Sequence, residues 1–195
     1  MPVVFIFLGL TFITVLFYGK IRVLSLNKYF LLGILLVSLL SYFVKPLLVT
    51  ENLQINAPLF FCFVFLIISL SLTYPHDLIR KSLIANMFIL FFYILLVKID
   101  GFYLLSFNIL PVVVLVILSN IIIFKSFEQI FLNSVLAFFI IESYTAFYLL
   151  HHLSFASIFL PTIIYPFAIS LSISFLIIAF LQTIKIYTRR LKCEN

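Results

Sequence analysis

The chain has 195 residues, is 66% hydrophobic and 9% charged, and carries a formal net charge of +6. A soluble domain of that size would expose apolar patches far larger than soluble monomers tolerate, which excludes an ordinary water-soluble fold and leaves no room for a sizeable soluble domain. The positive charge sits in short segments and at the C-terminus instead of on one continuous face, so anchoring against anionic lipid headgroups is expected and nucleic-acid binding is not.

Taken in chain order, apolar runs cover residues 2–18, 29–49, 57–74, 82–97, 102–124, 127–150 and 153–183. A bilayer-spanning helix needs about 20 mostly apolar residues. Helix is the expected conformation throughout, because the runs do not alternate polar and apolar residues as barrel strands do and backbone groups in lipid must be paired internally. The expected fold is all-α, a polytopic transmembrane helix bundle of about seven spans, with six to eight possible. The first run has no basic segment before it and no cleavage site after it, and reads as a retained span. Run 82–97 is short and extends toward Leu78 if Arg80 and Lys81 snorkel. Run 153–183 is long for one span; Pro161 and Pro166 suggest a partial helix, a break and a full helix. Residues 1–184 form the membrane domain and 185–195 a basic cytoplasmic tail.

Seven spans place Lys20, Arg22, Lys28, Arg80, Lys81, Lys125, Lys185, Arg189, Arg190 and Lys192 on one side and only Lys45 and Lys98 on the other. The positive-inside rule then sets the N-terminus outside and the C-terminus inside. Short loops and this asymmetry point to a bacterial plasma membrane. Cys62 and Cys193 fall at opposite faces, so neither a bridge nor a metal site is expected, and nothing implies a cofactor.

Within lipid, the informative residues are those that cost free energy to bury. Glu142 lies in AFFIIESYTAFYLL, eight residues before the outer end of its run, or ~12 Å deep at the helical rise. It must face other helices, find a partner or carry a proton. It serves either as a catalytic or transport carboxyl or as a structural acid bonded to a neighbouring helix. Lys45, near the outer end of the second run beside the helix-weakening Pro46, is its expected partner, or a snorkelling interfacial lysine. Asn108 and Tyr165 are candidates to line the same cavity. Tyr144 and Tyr148 flank Glu142 without all sharing its face. His151 and His152 follow at the outer surface, where they could act as proton carriers beside Glu142, but adjacent histidines share no helix face and no second ligand cluster accompanies them. His76 and Asp77 read as a solvated inner turn. No GxSxG, HExxH, Walker A or GxGxxG motif is present.

Lys45-Pro46-Leu47, the Phe138, Ile141, Glu142 and Ala146 constellation, and Tyr165 with Ala168 and Ile169 together resemble the YhhN family of lysoplasmalogenases, small multi-pass membrane hydrolases. That family has Asp, Ser and Gln where this chain has Glu142, Ile141 and Ile169, and its early Gly-Asp element has no counterpart here. The resemblance implies hydrolysis of the vinyl-ether bond of an ether lysophospholipid. Glu142 would act as the acid, Lys45 would hold the phosphate or orient Glu142, and Tyr165, Asn108, Tyr144 and His151 would line the pocket. Membrane lipids are then the expected partners. The alternatives are a non-enzymatic subunit or sensor module of a membrane complex, self-associating or with a partner subunit, and a small transporter using Glu142 and Lys45 as a relay beside a broken helix.

Overall fold

The computed structural model describes residues 37, 41, 43–100, 110–124, 127–159 and 164–193. Most of them are helical, in five helices: α1 (Ala57–Thr73), α2 (His76–Asp100), α3 (Leu110–Ile123), α4 (Phe127–Leu153) and α5 (Ile164–Cys193). Two helical stretches, His76–Lys98 and Gln129–Leu153, are long and apolar enough to cross a membrane; Ala57–Leu72, Pro111–Ile123 and Ile169–Ile178 are shorter apolar stretches. Run 2–18 and most of run 29–49 lie outside the described residues.

Local chemistry sets the helix boundaries. Asn56 caps α1: its Oδ1 accepts the Leu59 N–H at 3.3 Å, and Pro58 occupies the first turn, where a missing N–H is harmless. Tyr74 closes α1 by donating its N–H to Leu70 O, and Pro75 bars continuation. α2 then starts at once, with Asp77 favourably placed at its N-terminus and paired with Arg80 at 3.5 Å. Pro166 falls in the first turn of α5 and does not break it.

The expectation of helix throughout is corrected at three places. β1 (Leu47–Thr50) and β2 (Leu53–Ile55) form an antiparallel hairpin across Glu51 and Asn52, with an irregularity between Leu48 and Thr50. β3 (Ala156–Ile158) adds to β2 in parallel, giving the order β1-β2-β3. The second run is not helical at Lys45, because Pro46 cannot supply a helical N–H and disfavours helix in the residue before it. The last long run opens with a strand instead of a partial helix; the chain turns at Ser154 (φ 55), crosses β3 and re-enters helix at Ile164. α5 extends to Cys193, so residues 185–193 of the basic tail are helical.

α4 is the central element. It packs against α1, α2, α3, α5 and β3, and every residue from 130 to 138 is buried, as for a helix surrounded on all sides. α2 shows the polarity of the bundle most clearly. Its buried stripe is Ser82, Ala85, Asn86, Ile89, Tyr93 and Val97, while Leu83, Ile84, Met87, Phe88, Phe91, Phe92 and Leu95 are exposed. Ser82 and Asn86 face in among apolar neighbours, and large apolar side chains cover the outer face.

Candidate functional site

α4 carries Glu142 to a position just beneath the three-stranded sheet. The Glu142 Oε2 accepts the backbone N–H of Phe159 at 3.0 Å. Phe159 immediately follows β3 and sits in the left-handed region at φ 52, which costs a non-glycine residue roughly 1–2 kcal/mol. Two things hold it there. One is the Glu142 bond. The other is its ring, which is 1% exposed and packs on Phe60, Phe63 and Phe139 at centroid distances of 5.3, 5.7 and 5.5 Å. Glu142 thus ties the central helix to the segment that leaves the sheet, in an aromatic surround.

On the same end of α4, Tyr93 from α2 bonds Thr145 through its hydroxyl at 3.0 Å and meets the Tyr144 ring edge-on at 6.0 Å. Tyr144 contacts Tyr148 at 6.3 Å, and Tyr148 contacts His152 at 4.2 Å. An aromatic file therefore runs from the bundle interior to the exposed last turn, where His151 also stacks on Phe147 at 6.5 Å.

Not every expected site residue joins this group. Lys45 is exposed on the segment before β1 and forms no ion pair with Glu142; the salt bridge among the described residues is Arg80–Asp77, at the start of α2. The expected Lys45–Glu142 pair is corrected to a carboxylate–backbone bond. The expected pair requires helix up to residue 49, and the chain at Lys45 is not helical. Asn108 lies outside the described residues, and Tyr165 is placed in the first turn of α5 with its side chain outside the description. No group of three or more His, Cys, Asp or Glu residues able to hold a metal is found among the described residues.

Sequence reasoning passed over a second polar centre toward the opposite end of the bundle. Asn133 of α4 accepts from Ser82 Oγ at 3.0 Å through its Oδ1, and its Nδ2 donates to Asn120 Oδ1 at 2.9 Å and Ser119 Oγ at 3.3 Å. Asn120 of α3 donates in turn to Ser134 Oγ at 2.9 Å and Ser174 Oγ at 3.1 Å. Four helices are joined through two amides, each with both N–H bonds and its carbonyl used. Asn86 donates to the Asn133 backbone carbonyl at 3.5 Å, a marginal bond, and among the described residues its own buried Oδ1 has no partner. The sequence signal was present: Ser119-Asn120 and Asn133-Ser134 stand in apolar surroundings on either side of Lys125 in the sequence.

Compared with protein-family models, with curated proteins and with solved structures, the chain matches none.

Proposed function

We propose that this chain is a polytopic integral membrane protein of about seven spans, with its N-terminus outside and its C-terminus inside a bacterial plasma membrane, and that Glu142 is the working acid of a lysoplasmalogenase-like hydrolase of ether lysophospholipids. The observation that carries the membrane reading is the inverted polarity of α2 and its neighbours. Asn86, Asn120, Asn133, Ser82, Ser134 and Ser174 are buried, while Phe61, Phe65, Phe88, Phe91, Phe92, Ile122 and Phe180 are among the exposed large side chains. Water favours the reverse; lipid makes an outward apolar face free of cost and leaves polar groups to find each other inside.

Chain direction supports the orientation. β2 pairs with β3, so the start of α1 and the end of α4 lie at one end of the bundle. That requires an even number of crossings between them, and four helices intervene. The sheet end carries Lys45, the expected outer side; the turn at Pro75 carries Arg80 and Lys81, the expected inner side.

Within that frame Glu142 lies in the outer half, where a lysolipid enters from the leaflet. Its carboxyl proton adds to the vinyl carbon that is not bonded to oxygen, water attacks the resulting oxocarbenium carbon, and the hemiacetal collapses to an aldehyde and a free glycerol hydroxyl, returning a proton. Exposed Lys45, outside the bundle at the same end, suits the substrate phosphate better than it suits Glu142. The test is aldehyde release from a lysoplasmalogen by purified protein in mild detergent. Loss of turnover in Glu142→Gln supports the assignment, and full turnover in that variant removes it. The separation of Lys45 from Glu142 favours a second reading, a non-catalytic subunit of a membrane complex; an inactive, well-folded wild type that co-purifies with a partner would establish it.

A further inference from the structure

We propose that the β1–β2 hairpin is an interfacial anchor: β1 beds in the phospholipid headgroup layer at the sheet end of the bundle, with Lys45 on lipid phosphate. This inference rests on the membrane reading and is independent of the hydrolase chemistry.

Three observations combine. First, the segment from Phe43 to Val49 presents large apolar side chains at the surface. Phe43 is 82% exposed and Leu48 66%, and Val44, Leu47 and Val49 are exposed with them. Second, the exposure is on both faces of the strand. Leu47 pairs opposite Ile55 and Leu48 opposite Gln54, so the two leucines point to opposite sides of the sheet, and both are exposed. Third, a positive charge is set among these side chains: Lys45 is exposed, flanked by Val44 and Pro46, while Thr50, Glu51 and Asn52, also exposed, make a polar tip.

The second and third points select the partner. A protein surface docked on a strand covers one face and leaves Leu47 or Leu48 in water; a lipid interface surrounds both. A lysine among large apolar side chains lays its methylene stem beside them and lifts its ammonium to phosphate oxygen, so the charge complements a headgroup layer. The order β1-β2-β3 puts β1 at an edge among the described strands. The outer row of backbone groups on an edge needs water or headgroup oxygen, which sets the depth at the headgroups, short of the hydrocarbon. Leu153 and Phe155, exposed where α4 gives way to β3, add apolar surface at the same end. The polar tip of Glu51 and Asn52 stays in water.

The chain contains no tryptophan, so a single introduced Trp reports one place. The experiment is fluorescence quenching of the full chain carrying Leu47→Trp, Leu48→Trp or Phe88→Trp. Each variant is reconstituted into phosphatidylcholine–phosphatidylglycerol vesicles whose acyl chains are brominated near the headgroup or near the terminal methyl. The expected result is at least twofold quenching of both hairpin reporters by the shallow bromines, and less by the deep ones. Lys45→Glu should at least halve the quenching of Leu48→Trp, and Lys45→Arg should preserve it. Four results overturn the proposal: acrylamide access to either hairpin reporter without lipid quenching; shielding from acrylamide without lipid quenching, as a second copy or another segment of the chain would give; stronger quenching by the deep bromines; or unchanged quenching in Lys45→Glu. Phe88→Trp, on the exposed face of α2, reports the membrane reading separately. Lipid quenching of Phe88→Trp beside unquenched hairpin reporters overturns this inference and leaves the membrane reading intact; no lipid quenching at any of the three overturns both.

Discussion

Phe159 makes two demands on one residue: a left-handed backbone that aims its N–H at Glu142 and a ring that fills the aromatic cluster beneath the sheet. Removing the ring costs about 3–5 kcal/mol in either small substitution. Glycine also removes the left-handed penalty while alanine keeps it, so Phe159→Ala should be less stable than Phe159→Gly by about 1 kcal/mol in reversible unfolding from detergent. The carboxyl partner gives a parallel comparison. Glu142→Gln retains an acceptor for the Phe159 N–H, whereas Glu142→Leu orphans it and should cost a further ~1–3 kcal/mol. Glu142 itself was legible in the sequence, because one acid inside an apolar run must be explained. Its partner was not, since a backbone N–H at Phe159 has no side-chain signature, and Lys45 was the nearest charge that a helix-only reading could offer.

The elements differ in how much of themselves they declare. α2 and α4 are long apolar segments, and the sequence shows them directly. The strands are three or four residues each, too short for alternation to appear, and β3 exists because β2 is present to pair with it through Leu53–Ala156 and Gln54–Ser157. Asn56 joins these levels. It caps α1 through Oδ1, donates from Nδ2 to Ser41 O at 3.0 Å, and donates its backbone N–H to Ile158 O at 3.3 Å. Asn56→Ala should destabilise by about 1–2 kcal/mol through the lost cap alone. The polar network allows a sharper contrast between two asparagines. Asn133→Leu strands Ser82, Ser119 and Asn120 and should cost about 1–3 kcal/mol. Asn86→Leu removes a buried oxygen that has no partner among the described residues and one marginal bond, and should leave stability within about 1 kcal/mol of wild type or raise it. Equal losses in the two variants would contradict the bond pattern.

At the scale of the whole molecule, the bundle has a polar clasp toward one end, a small sheet at the other, and a central helix that touches both. Composition pointed to an apolar exterior, and the charge distribution leads to the orientation proposed above. Neither announced the sheet, which brings loops far apart in sequence to one face and thereby sets the parity of the crossings between them. The central claim is that this sheet faces outward and the Pro75 turn inward, across a membrane that the apolar faces contact. The most direct measurement is labelling of intact cells with a membrane-impermeant maleimide. Single-cysteine variants Asn52→Cys, in the hairpin, and Asp77→Cys, in the turn, are made in a background lacking Cys62 and Cys193. The expected result is prompt labelling of Asn52→Cys and labelling of Asp77→Cys only after the cells are permeabilised. Labelling of both from outside, of neither, or of Asp77→Cys alone would contradict the proposed orientation.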